Sequence, residues 1–175
     1  TWSPDGHASA PTAVSMLHAG VLMKLGGYGC FRIAMYLMPT GAAIWGDFFL
    51  VLTTISVVYG AFSAVVQTDL KYINAYSSVS HCGLVLFALL MMTRVSATGA
   101  ILQMLSHGLM TALFFALIGM IYGRTHTRDI RQLSGLMKIM PFLAVGYVIA
   151  GLANLGLPGL SGFVAEMTVF VGSFQ

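Results

Sequence analysis

The segment from Ala13 to Leu37 is almost wholly apolar, and its only acidic or basic side chains are His18, Lys24 and Arg32. A helix needs about 20 apolar residues to cross the hydrocarbon core of a bilayer, so the segment predicts a membrane span. Lys24 lies near its middle, where a charge costs roughly 2.5 to 3.5 kcal/mol on insertion scales. Such a group usually faces a bundle interior or a water-filled path, so Lys24 requires a functional explanation.

The composition extends this conclusion to the whole chain. Hydrophobic residues make up 58% of the sequence and charged residues 7%, and the mean hydropathy is +0.88. Soluble domains carry about 25% charged residues, so this chain is expected to be an integral membrane protein. The net charge of +3 then indicates membrane orientation and not a nucleic-acid partner.

The apolar runs predict an all-α polytopic membrane protein with about five transmembrane helices. Polar breaks such as Pro39-Thr40-Gly41 separate them, and the longest break runs from Gly123 to Lys138. We expect residues 1–175 to form a single membrane domain that is a fragment of a longer protein. The predicted spans run roughly from Thr12 to Met38, from Ile44 to Val66, from Tyr72 to Thr93, from Ala97 to Tyr122 and from Pro141 to Phe174.

The loop charges predict the orientation of these spans. Arg94 is alone in the loops of one side, whereas the other side holds Lys71, Arg124, Arg128, Arg131 and Lys138. Basic loops usually remain on the cytoplasmic side of a membrane or its equivalent. The alternative is that the cluster binds a lipid or another ligand.

The last span contains a helix-breaking sequence from Asn154 to Gly162, in which we single out Gly156, Pro158 and Gly159. Proline lacks a backbone donor and glycine weakens a helix, so two half-helices are predicted. Broken helices at membrane depth usually line a water-filled cavity or a transport path. Ser161 is expected to cap the second half-helix.

Glu166 follows this break. The positive end of the second half-helix favours an ionised carboxyl group, whereas an apolar environment favours the protonated form. Opposed influences of this kind suit a group that loads and releases a proton. The alternative is that Glu166 only pairs with a Lys or Arg from a neighbouring helix.

Polar side chains recur at helical spacing in the predicted spans. Gln103, His107 and Thr111 form one such row, and His81 follows Ser77 by one turn. Imidazole titrates near neutral pH, so His81 and His107 are candidate proton carriers, although each can also be a hydrogen-bonded structural residue. Further rows comprise Lys24, Tyr28 and Arg32, and the small residues Thr53, Ser56, Gly60, Ser63 and Gln67, which we interpret as helix packing.

Signals for other chemistry are weak. Cys30 and Cys82 lie in apolar runs without Cys-x-x-Cys spacing, where a thiol packs as a small hydrophobe. There is no Gly-rich phosphate loop and no Gly-x-Ser-x-Gly motif. One rival remains, in which His81 and His107 ligate a haem and the chain carries electrons, but it leaves Lys24 and Glu166 unexplained.

Several segments resemble the antiporter-like membrane subunits of respiratory complex I, and together they cover essentially the whole chain. They are Trp2-Ser-Pro-Asp-Gly-His7, Ala10-Pro-Thr12, Ala19-Gly-Val-Leu-Met-Lys24-Leu-Gly-Gly-Tyr-Gly29, Gln67-Thr-Asp-Leu-Lys71, Ala75-Tyr-Ser-Ser-Val-Ser-His81, Gln103-Met-Leu-Ser-His107-Gly108, His126-Thr-Arg-Asp129 and Gly156-Leu-Pro-Gly159. Ser3 and Gly6 depart from the family, which commonly has Leu and Ala there. The carboxyl group after the last break resembles the chain 4, or subunit M, type.

The resemblance implies a fold of two inverted repeats, each of five helices with one broken helix. This chain would hold the end of the first repeat and most of the second. By the same resemblance, Lys24 is the lysine that connects two half-channels and His107 is a relay residue. His81 belongs to the polar axis, and Glu166 is the terminal proton-transfer group.

The resemblance also implies a proton-translocating subunit of NADH:quinone oxidoreductase. It places no cofactor in this chain, and it assigns NADH, FMN, iron–sulfur clusters and quinone to partner subunits. The expected partners are other membrane-arm subunits, including related antiporter-like ones, and lipid, with no nucleic acid. The expected location is an energy-transducing membrane, either the bacterial plasma membrane or the mitochondrial inner membrane. A subunit of a multi-subunit Na⁺/H⁺ antiporter or of a membrane-bound hydrogenase is the alternative.

Overall fold

The computed structural model describes residues 2–174, which form helices joined by short connections. The prediction of an all-α membrane protein with a discontinuous last span is confirmed. Helices α4, α5 and α6 are each long and apolar enough to cross a membrane, and α8 is a shorter apolar helix. The helices are α1 (Ser3–Ser9), α2 (Thr12–Leu17), α3 (Met23–Gly29), α4 (Pro39–Val66), α5 (Leu70–Leu90), α6 (Arg94–Thr125), α7 (Leu136–Ile139), α8 (Pro141–Asn154) and α9 (Ser161–Ser173).

The first predicted span is one continuous helix, residues 12–37, which is called helix 12–37 below. It alternates between α-helical and π-helical turns. The π-helical stretch His18–Leu22 follows α2, and the π-helical stretch Cys30–Leu37 follows α3. A proline precedes it at position 11, and another follows it at position 39. The π-helical turns were not predicted from the sequence. Such turns are rare in proteins, but those that occur are often found at functional sites. Lys24 lies just beyond the first π-helical stretch.

Helix α6 lies at the centre of the fold and packs against helix 12–37, α5, α8 and α9. Its side chains Phe115 and Ile118 are essentially fully buried. The helix has 32 residues, and at a rise of about 1.5 Å per residue it exceeds the roughly 30 Å hydrocarbon core. Its two ends therefore reach the two membrane surfaces, with Arg94 at one end and Arg124 near the other.

Helices α4 and α5 pack closely through small residues. A Cβ atom at Gly60 would lie 2.7 Å from the backbone nitrogen of Ser80, so only glycine fits there. Ser80 Oγ also donates a hydrogen bond of 2.9 Å to the Val57 carbonyl. Gly60 and Thr53 are buried, which agrees with the interpretation of this stripe as helix packing. The opposite face of α4 is apolar and exposed, as Val65 illustrates.

Two of the basic residues predicted to share one membrane surface, Lys71 and Arg128, lie close together in the structure. Arg128 forms an ion pair of 3.2 Å with Asp69, which precedes α5 and accepts a hydrogen bond from the Lys71 backbone. Leu70 N–H also donates to the Arg128 carbonyl. In the same loop, hydrogen bonds from the Arg131 side chain and backbone hold the pKa of Asp129 below its usual value. Part of the basic cluster therefore stabilises the loop.

The predicted break in the last span is confirmed. Helix α8 ends at Asn154 and α9 begins at Ser161. Between them, Gly156 and Gly159 have φ values of +62° and +101°, which disfavour residues with a Cβ atom. The prediction that Ser161 caps α9 was wrong, because the N-cap residue is Leu160 and no side chain caps the helix. Ser161 Oγ instead accepts a hydrogen bond from Ser106 Oγ at 2.8 Å.

Candidate functional site

A hydrogen-bonded polar cluster joins α5, α6 and the two halves of the broken helix. Its members are His81 on α5, Gln103 on α6, Asn154 at the end of α8 and Glu166 on α9. Asn154 and Glu166 flank the break, so the interruption brings the amide and the carboxylate to the same histidine. These four residues are called the polar cluster below.

His81 is the centre of the polar cluster. Its Nε2 lies 2.9 Å from Asn154 Oδ1, and its Nδ1 lies 3.1 Å from Gln103 Nε2. An amide oxygen accepts and an amide nitrogen donates, so this pattern fits a neutral ring with its proton on Nε2. Asn154 Nδ2 in turn donates to Ser77 Oγ at 3.2 Å, and this bond fixes the amide.

Glu166 lies near the same ring nitrogen of His81 as Gln103 does. Its Oε1 is 3.5 Å from His81 Nδ1 and 3.5 Å from Gln103 Nε2. A Cβ atom at Gly156 would lie 2.6 Å from Glu166 Oε2. Glycine at 156 therefore leaves the space that the carboxylate occupies. Among residues 2–174, no Lys or Arg forms a salt bridge with Glu166, so its neighbours are His81 and Gln103.

His107 lies beside the polar cluster on α6, one turn after Gln103. Its ring centroid is 4.8 Å from that of His81, and only 2% of the residue is exposed. Within the described part of the chain, His107 Nε2 has no hydrogen-bond partner. Thr111 Oγ1 donates to the His107 carbonyl. The predicted row of Gln103, His107 and Thr111 is therefore buried along its whole length.

Lys24 approaches the polar cluster from helix 12–37. A Cβ atom at Gly108 would lie 2.7 Å from the Gly20 carbonyl oxygen, so glycine lets the two helices cross closely. This crossing brings the Lys24 side chain to the turn of α6 that contains His107. Lys24 Nζ donates to the Ala19 carbonyl in the preceding π-helical stretch. Across residues 2–174, no carboxylate forms a salt bridge with Lys24.

Two cavities adjoin Lys24. The larger, of about 720 Å³, is an apolar groove between helix 12–37 and α6 that Lys24 and Gly108 help to line. The smaller, of about 200 Å³, is lined by Lys24, Cys82 and Cys30 among others. The lysine therefore lies between two cavities, one beside α6 and one between helix 12–37 and α5.

His81, His107, Glu166 and the break were predicted from the sequence, but no role was predicted for Asn154. Asn154 was visible only as part of the helix-breaking sequence. The rest of the lysine row does not join the site, because Tyr28 and Arg32 are exposed.

The haem alternative does not fit the geometry. Both ring nitrogens of His81 already face amide groups, which leaves neither for iron. The arrangement instead suits proton exchange. If His81 also binds a proton at Nδ1, this nitrogen no longer accepts from Gln103. Its N–H can then donate to Glu166 Oε1, 3.5 Å away, and pass the proton to the carboxylate.

Comparison with known proteins identifies the family. The family model described as "NADH:quinone oxidoreductase/Mrp antiporter, TM" matches residues 1–175. The chain is 46% identical over 172 residues to NAD(P)H-quinone oxidoreductase chain 4 3 of Picosynechococcus sp., covering 98% of this chain and 31% of that protein. It is 43% identical over 175 residues to NADH-quinone oxidoreductase subunit M of Rhodobacter capsulatus, covering 100% of this chain and 34% of that protein. The chain thus spans about a third of the length of these relatives.

Solved structures agree with the sequence comparison. A chain of respiratory complex I from Thermus thermophilus with bound NADH superposes with a TM-score of 0.93 at 34% identity, covering 99% of this chain and 37% of that one. A chain of the Mrp complex from Dietzia sp. superposes with the same TM-score at 26% identity, covering 99% of this chain and 32% of that one. The resemblance to chain 4 and subunit M is confirmed. The chain therefore belongs to the family of transmembrane subunits shared by NADH:quinone oxidoreductases and Mrp antiporters.

Proposed function

We propose that this chain carries protons across the membrane as part of a subunit of an NADH:quinone oxidoreductase. The observation that supports the proposal most directly is the polar cluster, in which a histidine that can hold a proton lies 3.5 Å from a carboxylate that can accept it. Ionisable residues inside a membrane are costly and rare, and they commonly mark proton or ion paths. In this proposal the path uses Lys24, His107, His81 and Glu166 in that order.

The proposed path begins at Lys24 and ends at Glu166. A change of charge near Lys24 alters its affinity for a proton, and the proton passes by way of His107 to His81. There the Nδ1–H bond of the imidazolium breaks as an O–H bond forms on Glu166 Oε1. His81 returns to its neutral form, which Asn154 and Gln103 stabilise through the ring nitrogens. No net charge is created in this last step.

The energy source that drives protons along this path is also a proposal. Relatives at 43% to 46% identity are chain 4 and subunit M proteins, which favours a redox-driven complex. In that setting, NADH, FMN, iron–sulfur clusters and quinone bind to partner subunits, and this chain contacts other membrane-arm subunits and lipid. The likeness to the Mrp complex has a lower identity, 26%. We therefore favour the oxidoreductase over an antiporter or a hydrogenase.

Two variants in the intact complex test the path. Glu166→Gln and Lys24→Ala are expected to lower the number of protons translocated per electron pair in proteoliposomes while the complex still assembles. Asp129→Asn and Lys138→Ala are matched controls, because both residues lie in the segment between α6 and α8, outside the proposed path. Normal pumping in both intramembrane variants would overturn the proposal.

Mass spectrometry of the native complex tests the driver. Flavoprotein and iron–sulfur subunits that copurify with this chain would support the redox-driven assignment. Hydrogenase subunits would assign it to a hydrogen-evolving complex. A complex of small membrane subunits without any redox protein would assign it to an antiporter.

A further inference from the structure

The smaller cavity beside Lys24 is lined by four sulfur-containing residues. It has a volume of about 200 Å³ and lies between helix 12–37 and α5, beside α6. Met23 and Cys30 line it from helix 12–37, Cys82 from α5 and Met104 from α6. The chain has two cysteines, and both of them line this one cavity. The four residues are called the sulfur cluster below.

A glycine leaves room for the sulfur atom of Met104. A Cβ atom at Gly27 would lie 2.9 Å from Met104 Sδ, and Gly27 is itself part of the cavity wall. The Met104 sulfur therefore lies directly against helix 12–37. Cysteine has no side-chain heavy atom beyond its sulfur, so Cys30 and Cys82 bring two thiols to the same wall.

Met23 connects the sulfur cluster with a pair of histidines. Its Sδ lies 3.2 Å from His7 Nε2, and His7 Nδ1 lies 3.2 Å from His18 Nδ1. His7 is fully buried. Imidazole nitrogen is also a ligand of copper, so a further donor adjoins the sulfur cluster.

Sulfur ligands of this kind select soft metal ions. Thiolates and thioethers favour copper(I) and zinc, whereas magnesium and calcium prefer oxygen ligands. Methionine side chains are flexible, so the thioethers can close on an ion. The cavity volume is several times the roughly 30 Å³ that one water molecule occupies in the liquid, so there is room for an ion.

Lys24 favours a monovalent ion in this cavity. It lines the cavity and lies within electrostatic reach of Cys82. Cysteine binds metals as the thiolate. The charges of two thiolates, one Cu⁺ and the Lys24 ammonium sum to zero, whereas Zn²⁺ would leave one positive charge uncompensated. Uncompensated charge is costly inside a membrane, so copper(I) fits better than zinc.

We propose that the sulfur cluster binds one copper(I) ion through the thiolates of Cys30 and Cys82 and the thioethers of Met23 and Met104. The two thiol protons leave for bulk water, and the copper keeps its oxidation state. The bound site then holds the Lys24 ammonium as its counterion. This last consequence rests on the proposed function, in which Lys24 passes a proton toward His107, and it makes copper(I) an inhibitor of proton translocation.

Silver(I) locates the site in the intact complex. It is a soft ion with the same charge and the same filled d shell as copper(I), and its many electrons make it visible in a density map. After incubation with silver nitrate in chloride-free buffer, strong density is expected in the cavity, in bonding contact with Cys82 Sγ and Met104 Sδ. A cavity without this density would overturn the proposal.

Copper(I) binding by variants tests the ligands. Other subunits can also bind copper, so each variant complex is compared with the wild-type complex in anaerobic titrations against a chromophoric copper(I) chelator. Cys82→Ala is expected to bind one equivalent less, and Met104→Leu is expected to bind that equivalent severalfold more weakly. Met120→Leu is the control, because Met120 lies on α6 but is exposed and outside the cavity lining. Equal copper binding by Cys82→Ala and the wild type would contradict the proposed ligands.

Proton translocation separates the metal site from the proton path. Copper(I) is expected to lower the protons translocated per electron pair severalfold in the wild-type complex and to have little effect on Cys82→Ala, each relative to its own copper-free value. Silver in the cavity with translocation unchanged by copper would support the site and contradict the proposed role of Lys24. If silver is absent from the cavity while Glu166→Gln still lowers pumping, the metal site is wrong and the proposed function stands.

Discussion

His81 Nδ1 lies 3.5 Å from Glu166 Oε1, and the opposite ring nitrogen is held by Asn154 at 2.9 Å. The amide therefore sets the direction in which the ring presents Nδ1. The two residues come from different helices, α5 and α9, and Asn154 stands at the end of α8. The break between α8 and α9 allows the amide and the carboxylate to engage opposite ring nitrogens of His81.

Asn154→Leu is expected to slow proton transfer through the polar cluster. The change leaves His81 Nε2 without its acceptor, and an unsatisfied buried group costs about 1 to 3 kcal/mol. If this cost falls on the transfer step, the rate of translocation drops by about tenfold. Proton translocation by the reconstituted complex measures the effect.

Ser77→Ala provides the matched control for Asn154. Ser77 bonds to the Asn154 amide but not to His81, so its removal should have a smaller effect than Asn154→Leu. Unchanged translocation in Asn154→Leu would show that the amide does not orient His81.

Gly156→Ala is expected to displace the Glu166 carboxylate. The new Cβ atom would lie 2.6 Å from Glu166 Oε2, and the φ value of +62° adds a backbone cost of about 1 to 2 kcal/mol. We expect translocation to fall toward the level of Glu166→Gln while the complex still assembles.

Gly159→Ala separates the backbone strain at the break from the displacement of the Glu166 carboxylate. Gly159 also has a positive φ, of +101°, but within residues 2–174 no atom beyond its chain neighbours lies within 4 Å of a Cβ atom placed there. This variant should destabilise the loop without moving Glu166. Equal loss of translocation in Gly156→Ala and Gly159→Ala would attribute the effect to backbone strain and not to the carboxylate.

Much of the fold was predictable because membrane spans follow from length and hydrophobicity. The run around Lys24 became helix 12–37, and Pro158 with its flanking glycines did interrupt the last span. Lys24, His81, His107 and Glu166 were recognisable because ionisable groups are conspicuous in an apolar sequence. Their approach to one another depends on which helices pack together, and the family resemblance supplied that expectation.

The remaining features depend on contacts between distant parts of the chain. Asn154 looked like part of a helix break, and its bond to His81 spans 73 positions in the sequence. Ser161 looked like a cap, but Ser106 from α6 engages its hydroxyl group. The π-helical turns around Lys24 also have no simple sequence signal. In each case a tertiary contact or a local backbone change overrode the local pattern.

Gly108→Ala is expected to weaken the crossing that brings Lys24 to His107. The added Cβ atom would lie 2.7 Å from the Gly20 carbonyl oxygen. That oxygen belongs to the backbone, so the contact is relieved only if the two helices move apart. Overpacking of this kind typically costs about 1 to 3 kcal/mol. We expect less intact complex on native gels and a lower thermal midpoint of the complex that does form.

A ranking of glycine variants makes this prediction specific. At Gly20 the new Cβ atom would lie 3.3 Å from the Gly108 carbonyl oxygen, and at Gly123 nothing lies within 4 Å. The loss of intact complex and of thermal stability should therefore be larger in Gly108→Ala than in Gly20→Ala. Gly123→Ala should behave like the wild type, because Gly123 lies in α6, as Gly108 does, but away from the crossing. Wild-type assembly and pumping in Gly108→Ala would mean that Lys24 does not depend on this close approach, and an equal defect in all three variants would show that the loss does not come from the crossing.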